Sequence, residues 1–178
     1  MKKAFGIDLG TTTGVAWTED GTVSSQRSEA VKFKPKRGES QGVRYMRFRR
    51  WLKETVDDPE NTIVFYEWVH PAAHRSAYAT QAYSGFLSIL ESYCEEFGVA
   101  YMGLGVGQIK KHATGNGAAS KSKMLASAYT RFGALDSEDA ADALWTLDLG
   151  LTQIDWEDFG AARDDVWSTR PELGDTGS

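Results

Sequence analysis

Apolar positions run almost unbroken through residues 3–9, pause at Gly10-Thr11-Thr12-Thr13-Gly14, and resume at Val15-Ala16-Trp17-Thr18. The first run reads as a buried strand and the second as its neighbour. Glu19-Asp20-Gly21 then carries an Asp-Gly hairpin signal. Thr22 to Ala30 is expected as a third strand, with Val23 its clearest apolar position. Lys32 to Gln41 is polar and contains Pro and Gly, so it reads as a loop. From Val43 to Val56 the period changes: Val43, Met46, Trp51, Leu52 and Val56 fall at helical spacing between arginines and a lysine. Asp57-Asp58-Pro59-Glu60-Asn61 ends that helix. Thr62 to Glu67 is continuously apolar up to its final glutamate, the pattern of a strand buried on both faces. Ser76 to Phe97 reads as a long helix stopped by Gly98, and Val99 to Val106 as a strand. Gln108-Ile109-Lys110-Lys111-His112 leads into a glycine-rich loop, Thr114-Gly115-Asn116-Gly117. Ala119 to Phe132 is helical, and Ser137 is an N-cap for a last helix from Glu138 to about Leu151.

Three antiparallel strands followed by alternating helices and strands predict an α/β sheet with helices on both faces. There is no internal repeat. Residues 1–151 are expected to form one domain. Residues 152–178 form an acidic tail, in which Trp156, Phe159 and Trp167 point to partial docking.

Composition changes this picture in two ways. The chain has 178 residues, 41% of them hydrophobic, enough for a real core. No apolar run reaches the length of a membrane span, and the N-terminus becomes charged too early for a signal peptide. The single cysteine, Cys94, lies in a helical stretch and reads as a buried structural thiol in a reducing, cytoplasmic setting. The net charge of −5 argues at first against a nucleic-acid partner. Its distribution reverses that argument. Residues 136–178 hold twelve acids and two bases, whereas residues 1–135 hold eighteen bases and thirteen acids. A basic face beside an acidic tail is compatible with phosphate binding, which needs only a local patch.

Four carboxylates stand out. Asp8 lies within the first strand and Glu67 ends the strand beginning at Thr62. Asp139 and Asp142, three apart, share one face of the last helix. Carboxylates at the ends of apolar elements are costly to bury unless neutralised. If the elements converge, a hard, oxygen-seeking cation such as Mg²⁺ is the natural neutraliser. Asp139-Ala140-Ala141-Asp142-Ala143 sets the acids among small residues, which would let the helix lie close to a sheet. Glu138 and Asp136 fall on other bearings and read as solvent charges.

The loop Gly10–Gly14 has three open readings: a backbone phosphate cradle, the first phosphate loop of actin-like kinases and ATPases, or a plain hairpin turn. Lys110, Lys111, Lys121 and Lys123 flank the glycine-rich loop and can supply positive charge to phosphates. His70 sits at a strand mouth as a candidate nucleic-acid contact, and His112 is placed beside the basic patch. The helix Arg44-Tyr45-Met46-Arg47-Phe48-Arg49-Arg50-Trp51 interleaves arginine with aromatics, making Arg44 and Arg47 candidate backbone contacts.

Read together, four blocks in order make residues 3–150 resemble the RuvC family of Holliday-junction resolvases, on the ribonuclease-H-like fold. They are Gly6-Ile7-Asp8-Leu9-Gly10, Phe65-Tyr66-Glu67, the lysine–glycine segment from Gln108 to Lys121, and Asp139-Ala140-Ala141-Asp142-Ala143-Leu144. The resemblance implies a mixed five-stranded sheet of an antiparallel meander plus two parallel strands. It implies that Asp8, Glu67, Asp139 and Asp142 hold two Mg²⁺ or Mn²⁺ ions, that Lys110 and Lys121 contact phosphate near the cut, and that a homodimer nicks four-way DNA junctions symmetrically. Three departures stand out. Leu9 replaces a proline usual in bacterial members, His70 replaces an aromatic that wedges into the junction, and the tail is additional. These features fit the divergent phage or organellar branches, so the compartment expected is bacterial or phage-host cytoplasm or an organellar matrix. The competing readings are a broader branched-DNA nuclease, an actin-like ATP-binding protein and a non-catalytic nucleic-acid-binding module.

Overall fold

The computed structural model describes residues 2–22, 25–70, 76–135 and 137–156. Strands β1 (Lys3–Asp8), β2 (Thr12–Thr18) and β3 (Arg27–Lys32) are followed by α1 (Val43–Thr55), β4 (Thr62–Trp68), α2 (Ala77–Phe97) and β5 (Ala100–Gly105), then α3 (Val106–Thr114), α4 (Lys121–Phe132) and α5 (Glu138–Leu151). The sheet order is β3-β2-β1-β4-β5. β1 pairs antiparallel with β2, and β2 with β3; β1 pairs parallel with β4, and β4 with β5. This is the mixed five-stranded α/β sheet expected, with helices on both faces. No helix among the described residues is long and apolar enough to cross a membrane.

Alternation along β1 sorts the two layers. Phe5 and Ile7 point into a cluster with Phe48 and Leu52 of α1 and Phe86 and Leu90 of α2. Ala4 faces the other way, into a cluster with Leu144 and Leu147 of α5. That second face is lined with small residues, and α5 lies directly on it. A Cβ at Gly6 would stand 2.6 Å from the Leu147 nitrogen, and one at Gly14 would collide with the Asp139 carbonyl. Only glycine permits this approach. The N-terminal turn of α5 is thereby fixed over the β1–β2 pair, beside the end of β1.

Local signals place several boundaries. Ser76 and Ser137 cap α2 and α5 by accepting from Ala79 N–H and Ala140 N–H. Gly98 ends α2 in the left-handed region at φ 65°. Cys94 is buried in α2, and that burial pushes its thiol upward, as expected of an inert structural cysteine.

Three elements differ from expectation. β3 begins at Arg27 rather than Thr22, so the connection after β2 is longer than an Asp-Gly turn; Val23 lies outside the described residues. The Asp20 carboxylate accepts from the hydroxyls of Thr18, Thr22 and Ser25 and from Thr22 N–H, which gathers the chain into a wider loop. The segment after Gly105 is helix rather than a lead into a loop. Gly105 N–H donates to the Gln108 side chain at 3.0 Å, and α3 runs on to Gly115, where φ is 75°. α3 buries only Ile109 fully, so its period is faint in sequence. α4 starts at Lys121, two residues later than expected, because Ser120 caps it. From the tail, Trp156 packs near Gly21, with Lys2 Nζ 5.9 Å above its ring; Phe159 and Trp167 lie outside the described residues.

Candidate active site

Asp8 ends β1 and Glu67 comes near the end of β4, the strand parallel to it. Parallel pairing with register Ile7↔Tyr66 sets the two carboxylates at the same edge of the sheet. α5 enters from one face, bringing Asp139 and Asp142 in its first two turns. Glu67, Asp142, Lys110, Lys121, Val106 and Met124 line a cleft of about 210 Å³. Asp8 lines a separate groove of about 380 Å³ with Leu9, Gly10, Thr11, Val69, Tyr78 and Tyr83. The acids are thus divided between two depressions, Glu67 and Asp142 in the cleft and Asp8 in the groove.

The electrostatics of this cluster are unfavourable as built. Asp8 keeps some surface contact, but the protein packed around its carboxyl removes most of its hydration. That desolvation, followed by the charges of Glu67, Asp142 and Asp139, pushes it well above the ordinary carboxylate range. Glu67 is raised to about 7, by burial first and then by Asp142. Asp142 is raised by burial, with Asp139 and Glu138 adding to it and Lys121 and Lys110 opposing it. The two lysines thus offset the negative charge only in part. Lys121 is also shared: its Nζ lies 3.1 Å from Glu138, so Glu138 is an ion-pair partner and not only a solvent charge.

Desolvated hard oxygen donors in excess of the nearby positive charge are the chemistry that suits a hard divalent cation. Their side chains are not drawn to a common point, however. Among the described residues no three His, Cys, Asp or Glu side chains are grouped so as to hold an ion.

Behind the cluster, Tyr83 steadies the end of β4. Its hydroxyl donates to the Glu67 carbonyl at 3.0 Å and accepts from Val69 N–H at 2.9 Å. Burial pushes that phenol up to about 12. Tyr83 has no sequence signal beyond its place on the buried face of α2.

The remaining expected contacts fall out differently. Lys110 lines the cleft, while Lys111 and Lys123 are exposed on α3 and α4. His70 is exposed, two residues past β4, with its ring edge-on to Trp68 at 5.9 Å. Arg44 is not a surface cation. It is buried, bonded to the Gln41 carbonyl and side chain and to the Tyr78 hydroxyl, and stacked on Tyr45 and Tyr78. It braces Tyr78. Arg47 is held by Glu39 at 2.6 Å and by the Lys34 carbonyl. His112 does not join the basic patch; its Nε2 lies 2.7 Å from the Asp148 carboxylate.

No protein-family model matches the chain, and no curated protein does. Solved structures do. One is the Thermus thermophilus RuvC structure, 22% identical, covering 85% of this chain and 95% of that one with a TM-score of 0.65. Another is T. thermophilus RuvC in complex with Holliday junction substrate, 20% identical, covering 86% and 95% with a TM-score of 0.66. At such identity the likeness is one of fold.

Proposed function

We propose that this chain is a RuvC-type, structure-selective endodeoxyribonuclease that resolves four-way DNA junctions by metal-dependent phosphodiester hydrolysis. The observation that carries the reading is the meeting of three elements distant in sequence, the ends of β1 and β4 and the start of α5. They gather desolvated, mutually repelling carboxylates that two lysines only partly offset. The likeness in fold to a RuvC bound to Holliday junction substrate supports the substrate class.

In this reading Asp8, Glu67, Asp139 and Asp142 are the residues that would hold two Mg²⁺ or Mn²⁺ ions. Bound there, the ions would supply an acidified water and offset charge at the leaving oxygen. Lys110 and Lys121 reach the cleft from α3 and α4, where they orient a phosphate and counter the charge that develops on it. Lys111, Lys123 and His70 extend the contact surface outward. A homodimer would match the two-fold symmetry of a junction cut in two opposed strands, acting in whichever cytoplasmic or organellar compartment holds branched DNA.

The test is Mg²⁺-dependent nicking of a synthetic four-way junction, compared with flap and duplex substrates and with the Asp8→Asn variant. Paired nicks on the junction, lost in the variant, are expected. Equal cutting of flaps would favour the broader branched-DNA nuclease. Binding without nicking in either Mg²⁺ or Mn²⁺ would favour a non-catalytic module.

A further inference from the structure

One carboxylate outside the cleft is more deeply buried than any within it. Asp148, on α5, has a side chain only 2% exposed. It takes no part in the cleft and belongs to none of the four sequence blocks. It joins three helices. One oxygen lies 2.7 Å from Nε2 of His112 on α3. Arg131 on α4 grips both oxygens, Nη2 at 2.9 Å and Nε at 3.2 and 3.3 Å. The arginine fork fits a carboxylate in two-pronged fashion, which fixes angle as well as distance. Rings lock the same joint. Trp145 of α5 meets His112 edge-on at 5.9 Å and Phe132 of α4 at 4.8 Å. The Trp145 indole N–H donates to the Met124 carbonyl of α4 at 3.4 Å.

The two helices joined this way are the ones that carry the cleft lysines. Lys110 precedes His112 by two residues on α3. A two-residue step turns about 200° round a helix, so one side chain faces the joint while the other faces away from it. Lys121 is the first residue of α4 and Arg131 lies ten residues on, roughly 15 Å along the axis. A small rotation about the Arg131 end would therefore be magnified at the lysine.

We infer that Asp148 is a positioning residue. By holding His112 and Arg131 at once, it sets α3 and α4 against α5 and so fixes Lys110 and Lys121 relative to the acidic cleft. This rests on the proposed role of those lysines in nuclease action. It does not make Asp148 a catalytic residue, since Asp148 touches neither the cleft nor a phosphate.

The test uses Asp148→Asn, which keeps the volume and removes the charge, with His112→Gln and Arg131→Gln as half-joint variants in case Asp148→Asn fails to fold. Hydrogen exchange reads the joint without DNA. Exchange should rise in residues 106–114 and 121–132 and stay unchanged in 62–68. Junction cleavage then reads the consequence. A drop in single-turnover rate of roughly ten- to a hundredfold is expected, the scale of a misplacement near 1 Å. That drop should shrink toward nothing in a Lys110→Ala/Lys121→Ala background. A generally weakened fold would instead give the same loss with or without the lysines, and that additivity would overturn the inference. Unchanged exchange in α3 and α4 would overturn it as well. If the wild type cuts no junction, the proposed function fails, while the exchange result still decides whether Asp148 holds the helices.

Discussion

Asp148 and Asp8 are carboxylates set into the same protein under opposite terms. Asp148 is nearly sealed from solvent, and the fold surrounds it with donors from two other helices. Asp8 has more surface, but the charges of Glu67, Asp142 and Asp139 all push against its ionised form, and the opposing charge of Lys121 is a smaller influence. A buried charge that serves structure is matched by its own chain, because an unmatched one costs several kcal/mol in real proteins. Where the chain leaves the match incomplete, something from outside is the economical explanation. The contrast between the two sites is thus stronger support for a cation-binding cleft than the presence of acids alone.

The largest test of that contrast is Asp8→Asn. Junction cleavage should fall by about a thousandfold, the scale of losing a group that places metal-borne charge, as measured in single-turnover gels. The same variant should melt higher than wild type in EDTA at pH 8, because it removes a repelled charge. Asp148→Ala should do the reverse to stability, with a loss of about 2 kcal/mol in urea unfolding. Stabilisation by both substitutions, or by neither, would erase the distinction.

Gly14→Ala attacks the scaffold beneath both sites. With no room against the Asp139 carbonyl, α5 must shift, at a cost of about 1–3 kcal/mol and with weakened cleavage. Circular-dichroism melts and the junction assay check it. Acidity sharpens the comparison further. The folded carboxyl of Glu67 lies at about 7, above the ordinary glutamate value of 4.5. Proton uptake therefore favours the folded state: its contribution is full below pH 4.5 and is lost as pH rises through about 7. Metal-free protein should lose melting temperature across that window. Glu67→Gln should flatten the loss, and Mg²⁺ should reverse it. The smallest effect belongs to Arg47→Ala. Its partly exposed pair with Glu39 is worth less than about 1 kcal/mol, so a larger loss in a urea titration would mean that this surface pair behaves like the Asp148 joint.

What the chain determined by itself was local. Ser76, Gly98 and Ser137 marked helix ends through bonds to neighbouring backbone. The Ser137 cap set the start of α5, and the alanines of Asp139-Ala140-Ala141-Asp142-Ala143 anticipated a helix lying close to the sheet. The four acids were legible because polar residues at the ends of apolar elements break a pattern. Tertiary structure decided the rest. Arg44 looked like a surface cation and became a buried brace because its partner Tyr78 is 34 residues away. His112 turned from the basic patch to a carboxylate 36 residues on. Asp148, a polar residue in an apolar helix, gave no hint of its two partners. Periodicity and capping act within a few residues, so sequence displays them directly. Which charge meets which depends on how helices pack across a sheet, and that is known only once the chain has folded.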